Sequence, residues 1–285
     1  MKQASIRKRD HGFSLIEMIA ALGIFLLITG AAFTLLTSSQ QRYQTESQVL
    51  NSFQEARLGL DQIVRDVNDA GFPPPTFANV DPRRVTSAPF AWSPNYTIPS
   101  PCQIGSNCVT PGDFDIIIET EPNPPDPNCP PGSVEWIRYK LDVQNPTTLM
   151  RGVACKQPSA EPAVQTSQAG TLIPFVQNVV NNQPNLQVSV DAAGNPIILS
   201  SEYPAVFANG PVPIFQYICD TPSASQALPL PTARCPGAAT TDNSPANIRE
   251  VIITLIVMTP SPDASSGRAR LVQLEGRGRR LNPNQ

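Results

Sequence analysis

The sequence predicts an α+β protein: a long N-terminal helix, its first half apolar enough to span a membrane and its second half amphipathic, packed on an antiparallel β-sheet with long disulfide-bearing loops. Three observations lead there. All 32 prolines lie at or after Pro73, so the first 72 residues are free to form one continuous helix while the remainder must be rich in turns. An unbroken apolar run extends from Phe13 to Leu36, interrupted by a single charge, Glu17. All six cysteines fall in the proline-rich part, and none forms a CxxC pair.

The chain opens with a basic leader, residues 1–12, in which Lys2, Arg7, Lys8 and Arg9 outweigh Asp10. Positive flanks stay cytoplasmic, so the chain beyond a spanning segment faces the other side, here the periplasm. Residues 13–36 form the membrane-spanning half of the helix, about 36 Å long, longer than the short apolar core of an ordinary secretory signal, and no obvious stop follows it. Residues 37–71 continue as the amphipathic half. Val49, Phe53, Ala56, Leu60, Ile63, Val64 and Val67 recur at steps of three and four, one apolar stripe, while Arg57, Asp61, Arg65 and Asp69 alternate in sign on another face. Gly71 and the run Pro73-Pro74-Pro75 end the helix, which is expected to span roughly 58 residues and about 85 Å.

Residues 72–285 form the β-rich head domain. Strands are expected at Asp115–Glu119, Glu135–Val143, Leu149–Cys155, Phe175–Val180, Leu186–Val190, Ile197–Leu199, Ile214–Cys219, Ile248–Met258 and Leu271–Leu274, from period-two alternation and β-branched content. Asn145-Pro146 marks a hairpin. Long loops are expected at 76–112, 120–133, 156–170 and 220–246. Cysteines in even number, without metal spacing and downstream of a membrane segment, imply disulfides in an oxidising compartment. Six allow 15 pairings. Short loops close most easily, which favours Cys102 with Cys108, Cys129 with Cys155 and Cys219 with Cys235.

Catalysis has little to work with, and the chain is expected not to be an enzyme and to need no metal or cofactor. Its one histidine, His11, lies in the leader, and no glycine-rich phosphate loop is present. Asp113 and Asp115 are a pair of carboxylates, more simply read as the start of a strand. A net charge of -3 argues against a surface dedicated to nucleic acid. The local basic cluster Arg268, Arg270, Arg277, Arg279 and Arg280 offers a weak nucleic-acid, headgroup or acidic-protein contact, or a guard for an edge strand. Phe90, Trp92 and Tyr96 are aromatic loop residues, better placed under a loop than as contacts.

Gly12-Phe13-Ser14-Leu15-Ile16-Glu17, after a short basic leader and before an apolar helix, resembles the class III signal of type IV pilins and of type II secretion pseudopilins. Further stretches, Glu55 through Phe72, Trp136 to Leu141, Leu149-Met150-Arg151 and Arg249 to Leu255, are similar to PilW-like minor pilins. The resemblance implies a pilin-like fold and a prepilin peptidase that cuts between Gly12 and Phe13 and then methylates the Phe13 amine. It implies other major and minor pilins as partners in a helical filament, and an inner-membrane assembly platform with its ATPase. The subunit would wait in the inner membrane as a single-pass protein and then enter a pilus or pseudopilus. There Glu17 would pair with a Phe13 amine, its own or a neighbour's. The function so implied is a minor pilin in the priming or tip-proximal complex. A J-type minor pseudopilin of type II secretion shares the layout. A bitopic membrane protein with a periplasmic ligand-binding or enzymatic domain is the alternative outside the family.

Overall fold

The computed structural model describes residues 14–73, 84, 89–90, 112–121, 126–156, 171–190, 193–219, 248–260, 262 and 268–280. Expectations for Gly12, Phe13, Trp92, Tyr96, Cys102, Cys108 and Cys235, and for nearly all of the loops at 76–112, 156–170 and 220–246, lie outside these residues.

One helix, α1 (Leu15–Asn68), occupies the N-terminal region. The chain divides into two compact units between Ser47 and Gln48. In the first, Leu15, Leu22, Phe25, Leu27, Phe33 and Leu36 are all exposed, and the helix holds a stretch long and apolar enough to cross a membrane. Thr29, Thr34 and Thr37 donate their hydroxyls to the carbonyls of Phe25, Gly30 and Phe33 at 2.7, 2.9 and 2.9 Å. Bonding back one turn satisfies these hydroxyls without water, which suits them to lipid.

In the second unit the predicted stripe is found. Ala56, Leu60, Ile63 and Val67 are buried, Val49, Phe53 and Val64 are half-buried, and Arg57, Asp61, Arg65 and Asp69 lie off the buried stripe. The helix stops where expected: Gly71 takes φ 84°, a conformation only glycine adopts at little cost. The chain then runs straight into pairing with the sheet. Gly71 donates its N–H to the Glu119 carbonyl at 2.9 Å, Thr120 Oγ1 donates to the Asp69 carbonyl at 2.7 Å, and Glu121 donates its N–H to the Phe72 carbonyl at 2.9 Å.

Nine strands come after the helix among the described residues, all in antiparallel pairs: β1 (Asp115–Thr120), β2 (Glu135–Leu141), β3 (Leu149–Cys155), β4 (Ile173–Val176), β5 (Gln187–Val190), β6 (Pro196–Ile198), β7 (Phe215–Cys219), β8 (Ile248–Met258) and β9 (Leu271–Arg279). They make three sheets rather than the single sheet expected, ordered β1-β2-β3-β4, β5-β6 and β7-β8-β9. The reason is visible at the junctions. Val179 and Val257 form an isolated bridge between the β4 and β8 regions, and Ile214 and Phe215 both donate to one carbonyl, that of Asp113. Pro211 and Pro213, without N–H groups, precede β7, so the ladder is not extended there. The first and third sheets nonetheless share one core with α1: Ile118, Ile137 and Tyr139 from one, Val251, Ile253 and Leu255 from the other, around Leu60, Ile63 and Val67.

Three smaller departures have local causes. β4 ends at Val176 rather than Val180 because Asn178 adopts a left-handed φ of 58°. A four-residue helix, α2 (Leu199–Glu202), comes directly after β6, and with Val180 and Phe207 it covers Ile256 in a second small core. Asn181 holds this lobe to β8, donating Nδ2 to the Thr254 carbonyl and accepting the Ile256 N–H on Oδ1, both at 2.8 Å. Third, β9 continues to Arg279, past the expected end at Leu274. A Cβ on Gly276 would lie 2.9 Å from Leu60 Cδ1 and Val64 Cγ2, and one on Gly278 would lie 2.6 Å from Val67 Cβ. The absent side chains let α1 approach β9 closely.

Candidate functional site

At the start of α1, Ser14 is the last residue before the helix and Glu17 is in its first turn. Their bonds are reciprocal. Ser14 donates its N–H to Glu17 Oε2 at 2.9 Å and its Oγ–H to the same oxygen at 3.0 Å, while Glu17 donates its N–H to Ser14 Oγ at 3.3 Å. This is a capping box, in which serine and a glutamate three residues on satisfy donors that the helix itself leaves unpaired. The carboxylate also opposes the positive end of the helix dipole. Both donors meet the same oxygen, Oε2.

Reading Glu17 only as a partner for an amine overlooked Ser14. The signal was present: Ser-x-x-Glu immediately before an apolar run is the sequence form of the box. Gly12 and Phe13 lie outside the described residues, so the geometry ends one residue short of the expected cleavage point.

The cysteine expectations divide the same way. Cys129 and Cys155 are joined, with Cα atoms 5.3 Å apart, as short-loop closure predicts. The bridge ties the segment before β2 to the end of β3. Cys219 is also in a disulfide. Among the described residues no cysteine is free.

The remaining candidates are occupied by structural contacts. Asp115 receives Arg138 through both oxygens, at 2.8 and 2.5 Å. Among the described residues no group of three or more His, Cys, Asp or Glu side chains could hold a metal ion. Arg268 pairs with Glu202 at 3.0 Å, Arg277 with Glu275 and Glu250 at 3.5 and 3.8 Å, and Arg280 is buried. Phe90 is buried and bridges Ile118 at the edge of β1.

One buried cluster has no counterpart in the sequence reading. Tyr139 donates its hydroxyl to Asp66 Oδ2 at 2.5 Å, Arg151 Nε donates to that hydroxyl at 3.0 Å, and Gln62 Nε2 donates to Asp66 Oδ1 at 2.7 Å. Burial, and then the Asp66 charge, push the Tyr139 hydroxyl far above its ordinary value, so it remains a donor. The cluster fastens α1 to β2 and β3. Asp66 lies on the buried stripe, beside Ile63 and Val67, and that offset was its only sequence signal.

Comparison with known proteins adds one match. Residues 7–33 match the family described as the prokaryotic N-terminal methylation motif. No curated protein and no solved structure matches the chain.

Proposed function

We propose that this chain, type IV pilin-like or pseudopilin-like by its methylation motif and so a prepilin peptidase substrate, is a minor pilin of a type IV pilus. It is a structural and assembly subunit, not an enzyme, and acts in the priming or tip-proximal complex. The observation that carries this reading is the match over residues 7–33, whose core is Gly12-Phe13 ahead of the capped, exposed apolar helix. Before assembly the helix lies in the inner membrane with the head in the periplasm. On leaving lipid it needs other apolar helices around it, which a bundle of major and minor pilins supplies. The assembly platform and its ATPase provide the work. Glu17 then pairs with the methylated Phe13 amine of a neighbour, because a carboxylate moved into an apolar bundle needs a cation. The choice of a minor pilin over a J-type pseudopilin rests on the likeness of the head segments to PilW-like proteins.

Two measurements on one strain test this. Mass spectrometry of the mature protein should find N-methylated phenylalanine, Phe13, at its start, and an intact Met1 would exclude every pilin reading. Deleting the chain should abolish surface pili while leaving exoprotein secretion unchanged; the opposite pattern would assign it to type II secretion.

A further inference from the structure

A helix at a membrane edge has reason to lengthen. Its first N–H groups lack intrahelical acceptors, and beside lipid each gains by bonding an upstream carbonyl, one further rung at a time. Where α1 begins is therefore decided by which N–H groups are already engaged. The Met18 N–H donates to the Ser14 carbonyl at 3.3 Å. The next rung upstream would carry the Glu17 N–H to Phe13, and the one after it the Ile16 N–H to Gly12. Glu17 gives that N–H to Ser14 Oγ instead, at 3.3 Å, while Glu17 Oε2 accepts the Ser14 N–H and hydroxyl. The ladder is interrupted one rung before the rung that would end on the Gly12 carbonyl.

That carbonyl is where a prepilin peptidase has to act. Hydrolysis adds water across the Gly12–Phe13 bond: the water oxygen bonds to the Gly12 carbonyl carbon, the C–N bond breaks, and the products are a Gly12 carboxylate and a Phe13 amine that takes up the proton. A carbonyl committed to a helix rung has its oxygen engaged within the turn, whereas a free one can be polarised by donors of the enzyme. We propose that Ser14 is a positioning residue for this cleavage, its side chain fixing the start of α1 so that the Gly12 carbonyl stays out of the helix and open to the peptidase. The inference rests on the peptidase-substrate reading above and is the same for a pilus or a pseudopilus subunit. Ser14 Oγ accepts a backbone N–H, so its contribution is separate from that of the Glu17 charge.

The ranking of residues as helix starters supplies the test. Asparagine equals serine at this position, glycine is only slightly worse, and alanine is far behind. In cells producing the full-length precursor and the peptidase, pulse-chase labelling reads the rate of leader removal. Rates are taken on membrane-inserted chains with a protease-resistant head, which keeps misfolded chains out of the comparison. Ser14→Ala should slow removal about fivefold, the population ratio that loss of a cap sets. Ser14→Asn should match the parent, and Ser14→Gly should stay within about twofold of it. A direct contact of the hydroxyl with the enzyme would instead group glycine with alanine, since neither carries one. Parental rates for Ser14→Ala, or a Ser14→Gly precursor as slow as Ser14→Ala, would overturn the positioning role. A parent chain that never loses its leader would instead overturn the peptidase-substrate reading.

Discussion

At the scale of single residues, a polar group can be satisfied locally before any partner arrives. Glu17 is the clearest case, since Ser14 already gives its carboxylate two donors. The proposed pairing with an amine would therefore meet a carboxylate that already accepts two hydrogen bonds on Oε2 but still carries its charge. Glu135 is the opposite case. It is buried, and burial raises its pKa; the charges of Asp126 and Glu121 push the same way, against the Asp126 N–H it accepts at 2.6 Å and the attraction of Arg151. The folded chain thus holds this proton more tightly than the unfolded chain. The contribution is stabilising below the ordinary carboxylate range and is lost as pH rises through the raised folded value. Glu135→Gln keeps the acceptor oxygen and removes the charge, so it should raise the melting temperature at neutral pH by roughly 2–4 °C, the effect of about 1 kcal/mol in a domain of this size. The gain should shrink as the pH is lowered towards about 4, the ordinary carboxylate range. Calorimetry showing the same gain at every pH would remove this account.

At the scale of elements, legibility tracked the strength of the periodic signal. α1 and β8 were readable because apolar spacing alone defines them, at steps of three and four in one and of two in the other. The C-terminal half of β9 was not, since Gly276 and Gly278 stand where a strand pattern calls for apolar side chains. Those positions are apolar in effect, filled by Leu60, Val64 and Val67 reaching across from the helix. Nothing local in Glu275 to Arg279 records that. Gly278→Ala should therefore destabilise the head by about 1–3 kcal/mol, the usual cost of forcing a methyl into a packed contact. Gly23→Ala, where an added Cβ meets nothing, should leave head stability unchanged. Equal melting of Gly278→Ala and the parent in denaturant would mean that α1 can shift away from β9 at no cost. Asp66 was missed for the converse reason: a carboxylate on an apolar stripe looks like surface until its partners Tyr139 and Arg151, 73 and 85 residues away, are placed beside it.

At the scale of the molecule, the helix leading into a disulfide-bearing β-rich head was legible, while the division into three sheets was set by which edges meet, information that no single strand carries. The Cys129–Cys155 bridge closes a loop of 26 residues, and chain entropy assigns it about 3.5 kcal/mol. Replacing both cysteines by serine should lower head stability by that order in equilibrium unfolding, and an unchanged midpoint would show that the unfolded chain is already restricted. The fastening of the helix end has a mechanical consequence. Glu55 accepts the Gln177 N–H just past β4, the Asp69 carbonyl and Gly71 bond to β1, Asp66 reaches β2 and β3, and Asn68 takes the N–H of Arg279. A pull on α1 at Gln48 is divided among several strands of two sheets, so no single attachment carries the whole load.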